Sequence, residues 1–298
     1  MLVQEEAFDT WSGKPKKTYD YNRFFSQLAT HPDAEAGQTW AEFDVKAMVN
    51  RDKNSPSIFM WSVGNEIWET SEDYGIEQAA NLVKWVKELD QTRYVTMGED
   101  KFRFDLESEN YQKIADLLDI VGINYAEDNF ALIREKHPHW KIYGSETASA
   151  VSSRGIYYEP AVKDKAITGN PEKPLRKYQT SDYGNDRVGW GKTASSVLIF
   201  DRNNLDYAGQ FIWTGFDYIG EPTPWHNEPE TPAKSSYFGI VDTAGLPKNE
   251  YYLYQSQWAN PDEKMVHILP HWNWSQEDRE ITCLLYTSPS QRDATLSR

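Results

Sequence analysis

Two short polar stretches each follow an apolar run. Gly64-Asn65-Glu66 comes after Ser57–Val63, and Ser145-Glu146-Thr147 comes after Trp140–Gly144. If both runs are strands of one parallel sheet, Glu66 and Glu146 stand just past strand carboxyl ends, where such sheets carry their chemistry. Two carboxylates facing each other suit acid/base cleavage of an acetal, with one protonated and the other ionised. Burial and mutual repulsion separate their pKa values and make that division possible. A second reading stays open on position alone, in which each glutamate bridges to a barrel Arg or Lys.

The elements that must place them alternate. Leu2-Val3 leads into Glu5-Glu6 as the end of a buried strand. Thr18–Thr30 reads as a helix stopped by Pro32, and Gln38–Asn54 as a clearer one with Trp40, Phe43 and Ala47 on one face. Ser57–Val63 has little alternation, as a strand covered on both faces does. Asp73–Asp90 is a predicted helix with Ile76, Ala79, Ala80, Val83 and Val86 inward. Then follow strand Tyr94–Met97, helix Ser108–Leu118 capped by Ser108, strand Asp119–Asn124, helix Asp128–His137 and strand Trp140–Gly144. Tyr158–Tyr183 reads as a long loop, Gly191–Asn204 as a helix and Tyr207–Trp213 as a strand. The proline-rich stretch Gly220–Ser236 reads as another loop, and Gln255–Trp258 closes a last helix.

About six βα units in order call for right-handed crossovers and a parallel sheet. No glycine-rich phosphate turn follows the first strand, which disfavours a dinucleotide-binding sheet. The expected fold is therefore α/β, an incomplete (β/α)8 TIM barrel over residues 1–261, lacking two units at its N-terminal side. Counting those two first puts Glu66 on the fourth strand and Glu146 on the seventh. Residues 262–286, with strands in Met265–Trp274 and Glu280–Tyr286, read as the start of a small β-sandwich domain. The polar tail, residues 287–298, shows no period and reads as disordered or foreign sequence.

Composition narrows the function. The net charge is −15, which argues against nucleic acid and anionic lipid as partners. One cysteine, Cys283, excludes an intramolecular disulfide and a Cys-rich zinc module. No apolar run reaches the ~20 residues of a membrane span, and no signal peptide is visible at the start. The compartment stays open. Aromatic residues make up 14%, with 12 Trp and 18 Tyr. They fit a large core, or stacking platforms for the flat faces of sugar rings. No H-E-x-x-H, G-x-S-x-G or P-loop is present.

Ser57-Ile-Phe-Met-Trp-Ser-Val-Gly-Asn-Glu66, preceded by Arg51-Asp-Lys-Asn-Ser-Pro56, closely resembles the acid/base signature of glycoside hydrolase family 2. Tyr143-Gly-Ser-Glu-Thr-Ala-Ser149 with Ser152-Ser-Arg-Gly-Ile-Tyr157 resembles the nucleophile region of a bacterial β-galactosidase branch. Phe211-Ile-Trp-Thr-Gly-Phe-Asp-Tyr-Ile-Gly-Glu-Pro-Thr-Pro-Trp225 resembles the eighth-strand segment. The resemblance runs from about Met1 to Tyr286.

The resemblance implies a retaining β-galactosidase with Glu66 as acid/base and Glu146 as nucleophile, their carboxyl groups about 5–5.5 Å apart. It gives Asn65 to the sugar 2-hydroxyl, where its plain role is to cap the turn after the strand. It gives Tyr125 to steadying the nucleophile, where its plain role is a buried tyrosine with a satisfied hydroxyl. It gives Trp213 to the floor of the sugar pocket. Asp217, Glu221, Trp225 and His226 lie on the loop beyond Trp213, and some of them are candidates to shape the leaving-group side.

Some relatives hold magnesium through a Glu and a His a few residues past an Asp-Glu-Ala segment. Here Glu5-Glu6-Ala7-Phe8-Asp9-Thr10-Trp11-Ser12 puts Thr10 and Ser12 at those positions. No active-site metal and no cofactor is expected. The partner implied is a carbohydrate, and any homo-oligomer would form through domains outside this chain. The same mechanism on β-glucuronides or other β-glycosides remains an alternative, as does a non-catalytic carbohydrate-binding protein. An open barrel wall leads us to expect little activity from these 298 residues alone.

Overall fold

The structure, a computed structural model, describes residues 2–11, 25–157, 165–166, 178–225, 232–260, 262–272 and 284–287. Two compact units divide the chain. The first comprises Met1–Glu146 with Asp206–Gln210, and the second Thr147–Leu205 with Phe211–Arg298.

The first unit is built on parallel strands. β1 (Val3–Glu6), β2 (Ile58–Asn65), β3 (Tyr94–Glu99), β4 (Val121–Asn124) and β5 (Ile142–Ala148) alternate with α1 (Trp40–Asp52), α2 (Asp73–Leu89), α3 (Glu109–Ala115) and α4 (Phe130–Lys136). After two two-residue strands, β6 (Lys165–Ala166) and β7 (Asp186–Arg187), and α5 (Ala194–Asn203), β8 (Tyr207–Trp213) completes a six-stranded sheet in the order β1-β2-β3-β4-β5-β8. Sequential strands lie side by side, as staves of a barrel do, and the six form an incomplete TIM barrel.

Local chemistry explains the elements. Thr39 caps α1 by accepting from the Glu42 N–H at 3.3 Å, and Ala41, Val45, Met48 and Val49 bury its inner face. In α2 the buried stripe is Gly75, Ala79, Leu82 and Val86. Ile76 and Val83 flank it half-buried, and Ala80 is exposed. The predicted stripe is thus rotated by about one residue, because Leu82 fills the centre of the contact. Every residue of β2 is buried or half-buried. Its outward Trp61 donates to Asp90 at 2.9 Å. On the interior, side chains from alternate strands meet in a layer: Tyr143 donates to Gln4 at 2.9 Å, and Thr96 to Tyr143 at 3.2 Å.

One predicted helix is not found over the part of it that is described. Within Thr18–Thr30, residues 18–24 lie outside the described residues, and the following segment forms a turn and an antiparallel bridge between Leu28 and Thr39. Backbone bonds from Trp40 to Gln27 and from Ala41 to Phe25 tie that segment to the start of α1, where a helix could not pair.

The second unit holds α5, α6 (Asn249–Trp258), the parallel pair β6–β7 and the antiparallel pair β9 (Val266–Leu269) with β10 (Leu284–Thr287). Thr193 caps α5, accepting from the Ser196 N–H at 3.3 Å. The stretch read as a loop over Tyr158–Tyr183 therefore carries one short strand. Residues 226–231, Cys283 and the tail 288–298 lie outside the described residues. No described helix is long and apolar enough to cross a membrane.

Candidate active site

The site is assembled at the carboxyl ends of β2, β4 and β5. Register brings Asn65 opposite Gly98, Gly98 opposite Gly122, and Asn124 opposite Glu146. The ladders of β2 with β3 and of β4 with β5 both become irregular at these last residues. The backbone then turns sharply. Glu66 and Tyr125, each the first residue past its strand, have φ of +48° and +55°. For non-glycine residues that left-handed region is uncommon and costs about 1 kcal/mol or more. Neighbouring strands hold both turns, through Glu66 N–H to Gly98 O and Tyr125 N–H to Glu146 O, each 2.9 Å.

Side chains then form a connected set. Tyr125, buried, donates its hydroxyl to Glu146 Oε2 at 2.8 Å. Asn65 also hydrogen-bonds Glu146. Asn124, fully buried, donates to Asn65 Oδ1 at 2.9 Å and to Glu66 Oε1 at 3.2 Å. Its own oxygen accepts from the Ser145 hydroxyl at 2.5 Å. Space for this cluster comes from two glycines. A Cβ at Gly98 would fall 2.7 Å from Asn65 Oδ1, 3.0 Å from Asn124 Oδ1 and 3.2 Å from Ser145 Oγ. A Cβ at Gly122 would fall 2.5 Å from the Met97 carbonyl oxygen and 2.7 Å from Ser145 Oγ.

The electrostatics are those of crowded acids. Burial, and next the Glu66 carboxylate, push Glu146 up to about 8, against the donors Tyr125 and Asn65. Glu6 on β1 adds a smaller upward push. It accepts from Ser62 at 2.7 Å and is itself raised by burial. Among the described residues Glu146 has no Lys or Arg partner. Burial thus disfavours the Glu146 anion, and the two donors aimed at it favour that anion.

A nearby acid behaves differently. Glu99, the last residue of β3, is buried and pushed up by desolvation, but Lys101 answers it at 2.9 Å. The same ammonium reaches Asp100 at 3.2 Å and the Ile67 carbonyl at 2.9 Å, tying the loops after β2 and β3 together.

Of the residues expected from sequence, Asn65, Glu66, Tyr125 and Glu146 come together here. Trp213 ends β8 in the second unit, where its half-buried ring meets Tyr218 edge-on at 5.8 Å. In that unit Asp217 is paired with buried Lys248 at 2.7 Å, and Glu221 accepts from Tyr218 at 2.6 Å. Trp225 is fully buried, so it has no face for a leaving group; His226 lies outside the described residues. At the positions compared with metal ligands, Thr10 is buried and donates to Glu69 at 3.5 Å, and Ser12 is not described. No group of three or more His, Cys, Asp or Glu among the described residues is arranged to hold a metal. Sequence reasoning missed Asn124, Ser145 and Gly98. A signal for Asn124 was present: Asn124-Tyr125 repeats the pattern of Asn65-Glu66, an asparagine closing an apolar strand before the chemical residue.

Comparison with known proteins identifies the family. Residues 1–239 match the model of the glycosyl hydrolases family 2 TIM barrel domain. The chain is 36% identical to the β-galactosidase BoGH2A of Bacteroides ovatus, over 92% of this chain and 33% of that protein. It is 29% identical to a putative β-glucuronidase of Formosa agariphila, over 91% of this chain and 25% of the relative. A crystal structure of a β-glycosidase from Bacteroides vulgatus aligns with TM-score 0.73 and 28% identity, covering 97% of this chain and 35% of that one. The chain thus spans a quarter to a third of the length of these two relatives.

Proposed function

We propose, for a chain that belongs to glycoside hydrolase family 2, that its carboxylate pair hydrolyses terminal non-reducing β-D-galactosides with retention of configuration. Glu146 attacks the anomeric carbon while Glu66 protonates the departing oxygen, giving a glycosyl ester on Glu146. Glu66, now ionised, takes a proton from water as that water attacks the same carbon and frees Glu146. Asn65 binds the sugar 2-hydroxyl, Tyr125 steadies the nucleophile, and Trp213 keeps the stacking role that the resemblance assigns it.

One observation carries the reading: Glu146 is half-buried beside Glu66 and, among the described residues, supported by neutral donors rather than by a cation. A paired cation would hold a nucleophile in a stable ion pair. Tyr125 and Asn65 stabilise its anion and leave it reactive. Galactose is favoured over other sugars by the 36% identity to a β-galactosidase. The similarity to a putative β-glucuronidase of Formosa agariphila supports β-glucuronides as the second reading.

The test is covalent labelling of the intact gene product. A 2-deoxy-2-fluoro-β-galactoside with a good leaving group should inactivate it and leave the sugar on the peptide containing Glu146. A label on another residue would remove the assignment. Inactivation only by the corresponding glucuronide would move the substrate to the second reading.

A further inference from the structure

The hydrogen bonds at the strand ends have a direction. Asn124 has two amide protons, and two acceptors face them, Asn65 Oδ1 at 2.9 Å and Glu66 Oε1 at 3.2 Å. Turned over, the amide would set its own oxygen against both, placing three acceptors together. Ser145 supplies the matching donor on the other side, at 2.5 Å from Asn124 Oδ1. With Asn65 Oδ1 engaged, the Asn65 NH2 group is left to face Glu146, which it hydrogen-bonds. The chain of donors therefore begins at Ser145, passes through Asn124 and Asn65, and returns to Glu146, the residue next to its origin. Glu66 Oε1 accepts a hydrogen bond from Asn124, so the acid proton that the proposed mechanism requires is assigned to Oε2.

We propose that Asn124, oriented by Ser145, is a positioning residue that aims both the acid/base Glu66 and the 2-hydroxyl ligand Asn65. The proposal rests on the glycosidase reading above and adds a role that neither strand motif reveals. Asn124 does no chemistry of its own. It selects which oxygen of Glu66 delivers the proton and which end of the Asn65 amide meets the sugar. Full burial of Asn124 and the methyl-free notch at Gly98 keep this arrangement in one geometry.

Asn124→Ala and Ser145→Ala in the intact gene product test it. A misaimed acid is felt most where the leaving group most needs a proton. Asn124→Ala should lower kcat/KM by about 100-fold for alkyl or sugar leaving groups and by less than about 10-fold for dinitrophenyl galactoside. The preference for the 2-hydroxy over the 2-deoxy substrate should also shrink. Ser145→Ala should show the same pattern, more weakly. Loosened packing alone would lower every substrate alike, so a uniform loss, or none, overturns the proposal. A crystal structure of Asn124→Ala gives a readout independent of turnover: Glu66 and Asn65 should change rotamer, and unchanged positions overturn it. If Glu146→Gln kept full turnover, the glycosidase reading would fall instead, and that structure would still decide whether Asn124 orients its neighbours.

Discussion

The strand-end cluster of the first unit and the cluster around Lys248 in the second both crowd several acids together, and they use them in opposite ways. In the second unit Lys248, 1% exposed, sends its ammonium to Asp217 at 2.7 Å and to the carbonyls of Ser152 and Tyr237 at 2.7 and 3.2 Å. All three of its protons are used, and Asp217 also accepts from the Gly239 N–H. Asp182 accepts from the backbone of Gly155 and Asn249, yet burial pushes it up to about 6; fully buried Glu250 is pushed up to about 8. Glu146 reaches a similar value. A raised carboxylate therefore does not identify a reactive site by itself. What separates the two regions is the partner: a saturated lysine at the centre of one, and neutral amide and phenol donors beside a second glutamate in the other.

That contrast can be broken most decisively at Glu146. Glu146→Gln should lower kcat by on the order of 10⁴ to 10⁶, as loss of a covalent nucleophile does. Its folded-state pKa is raised, so wild-type stability falls as pH climbs from about 4.5 to about 8. Chemical denaturation at pH 7 should accordingly find the variant at least as stable as wild type. A large stability loss without an activity loss would make this glutamate a structural one.

Lys248→Met should do the reverse. Leaving Asp217 buried without its cation should cost about 3–5 kcal/mol, read by the same denaturation experiment. An unchanged midpoint would remove the structural role assigned to that cluster.

Tyr125→Phe sharpens the comparison within the first unit. Losing a hydrogen bond to a charged group of about 1.5–3 kcal/mol implies a 10- to 100-fold fall in kcat/KM. With that donor gone the Glu146 anion is less favoured, so the acidic limb of the pH–rate profile should move to higher pH. A limb that stays in place, or moves lower, would separate Tyr125 from the nucleophile.

Glu250→Gln should have the smallest effect. Because Glu250 holds its proton in the folded chain and releases it when unfolded, stability declines between about pH 4.5 and 8, and Asp182 adds a weaker decline below about 6. Denaturation at pH 5, 7 and 9 should show a flatter profile in the variant. An identical profile would mean that Glu250 is not titrating there.

The candidate residues were legible in the sequence because each follows a recognisable apolar run: Glu66 after Ser57–Val63, Tyr125 after Asp119–Asn124, Glu146 after Trp140–Gly144. The alternation that marks βα units is a local property, and the parallel sheet followed from it. Asn124 was hidden because it reads as the end of a strand, and its role depends on register with β5. Lys248 was hidden because a lysine in the polar run Pro247-Lys248-Asn249-Glu250 reads as solvated; only tertiary contact with Asp217 shows otherwise. The absence of the predicted helix over residues 25–30 has the same origin, since the pairing of Leu28 with Thr39 leaves no periodic trace.

Gly98 and Gly122 carry a consequence for how such a site can change. They face each other on β3 and β4, and what they contribute is vacancy. Adding any side chain at either position would occupy volume already taken by the polar groups of the neighbouring strands. Innovation in substrate choice is therefore barred from these two places and must enter through the loops that follow the strands, while the middle of the rim stays frozen at hydrogen.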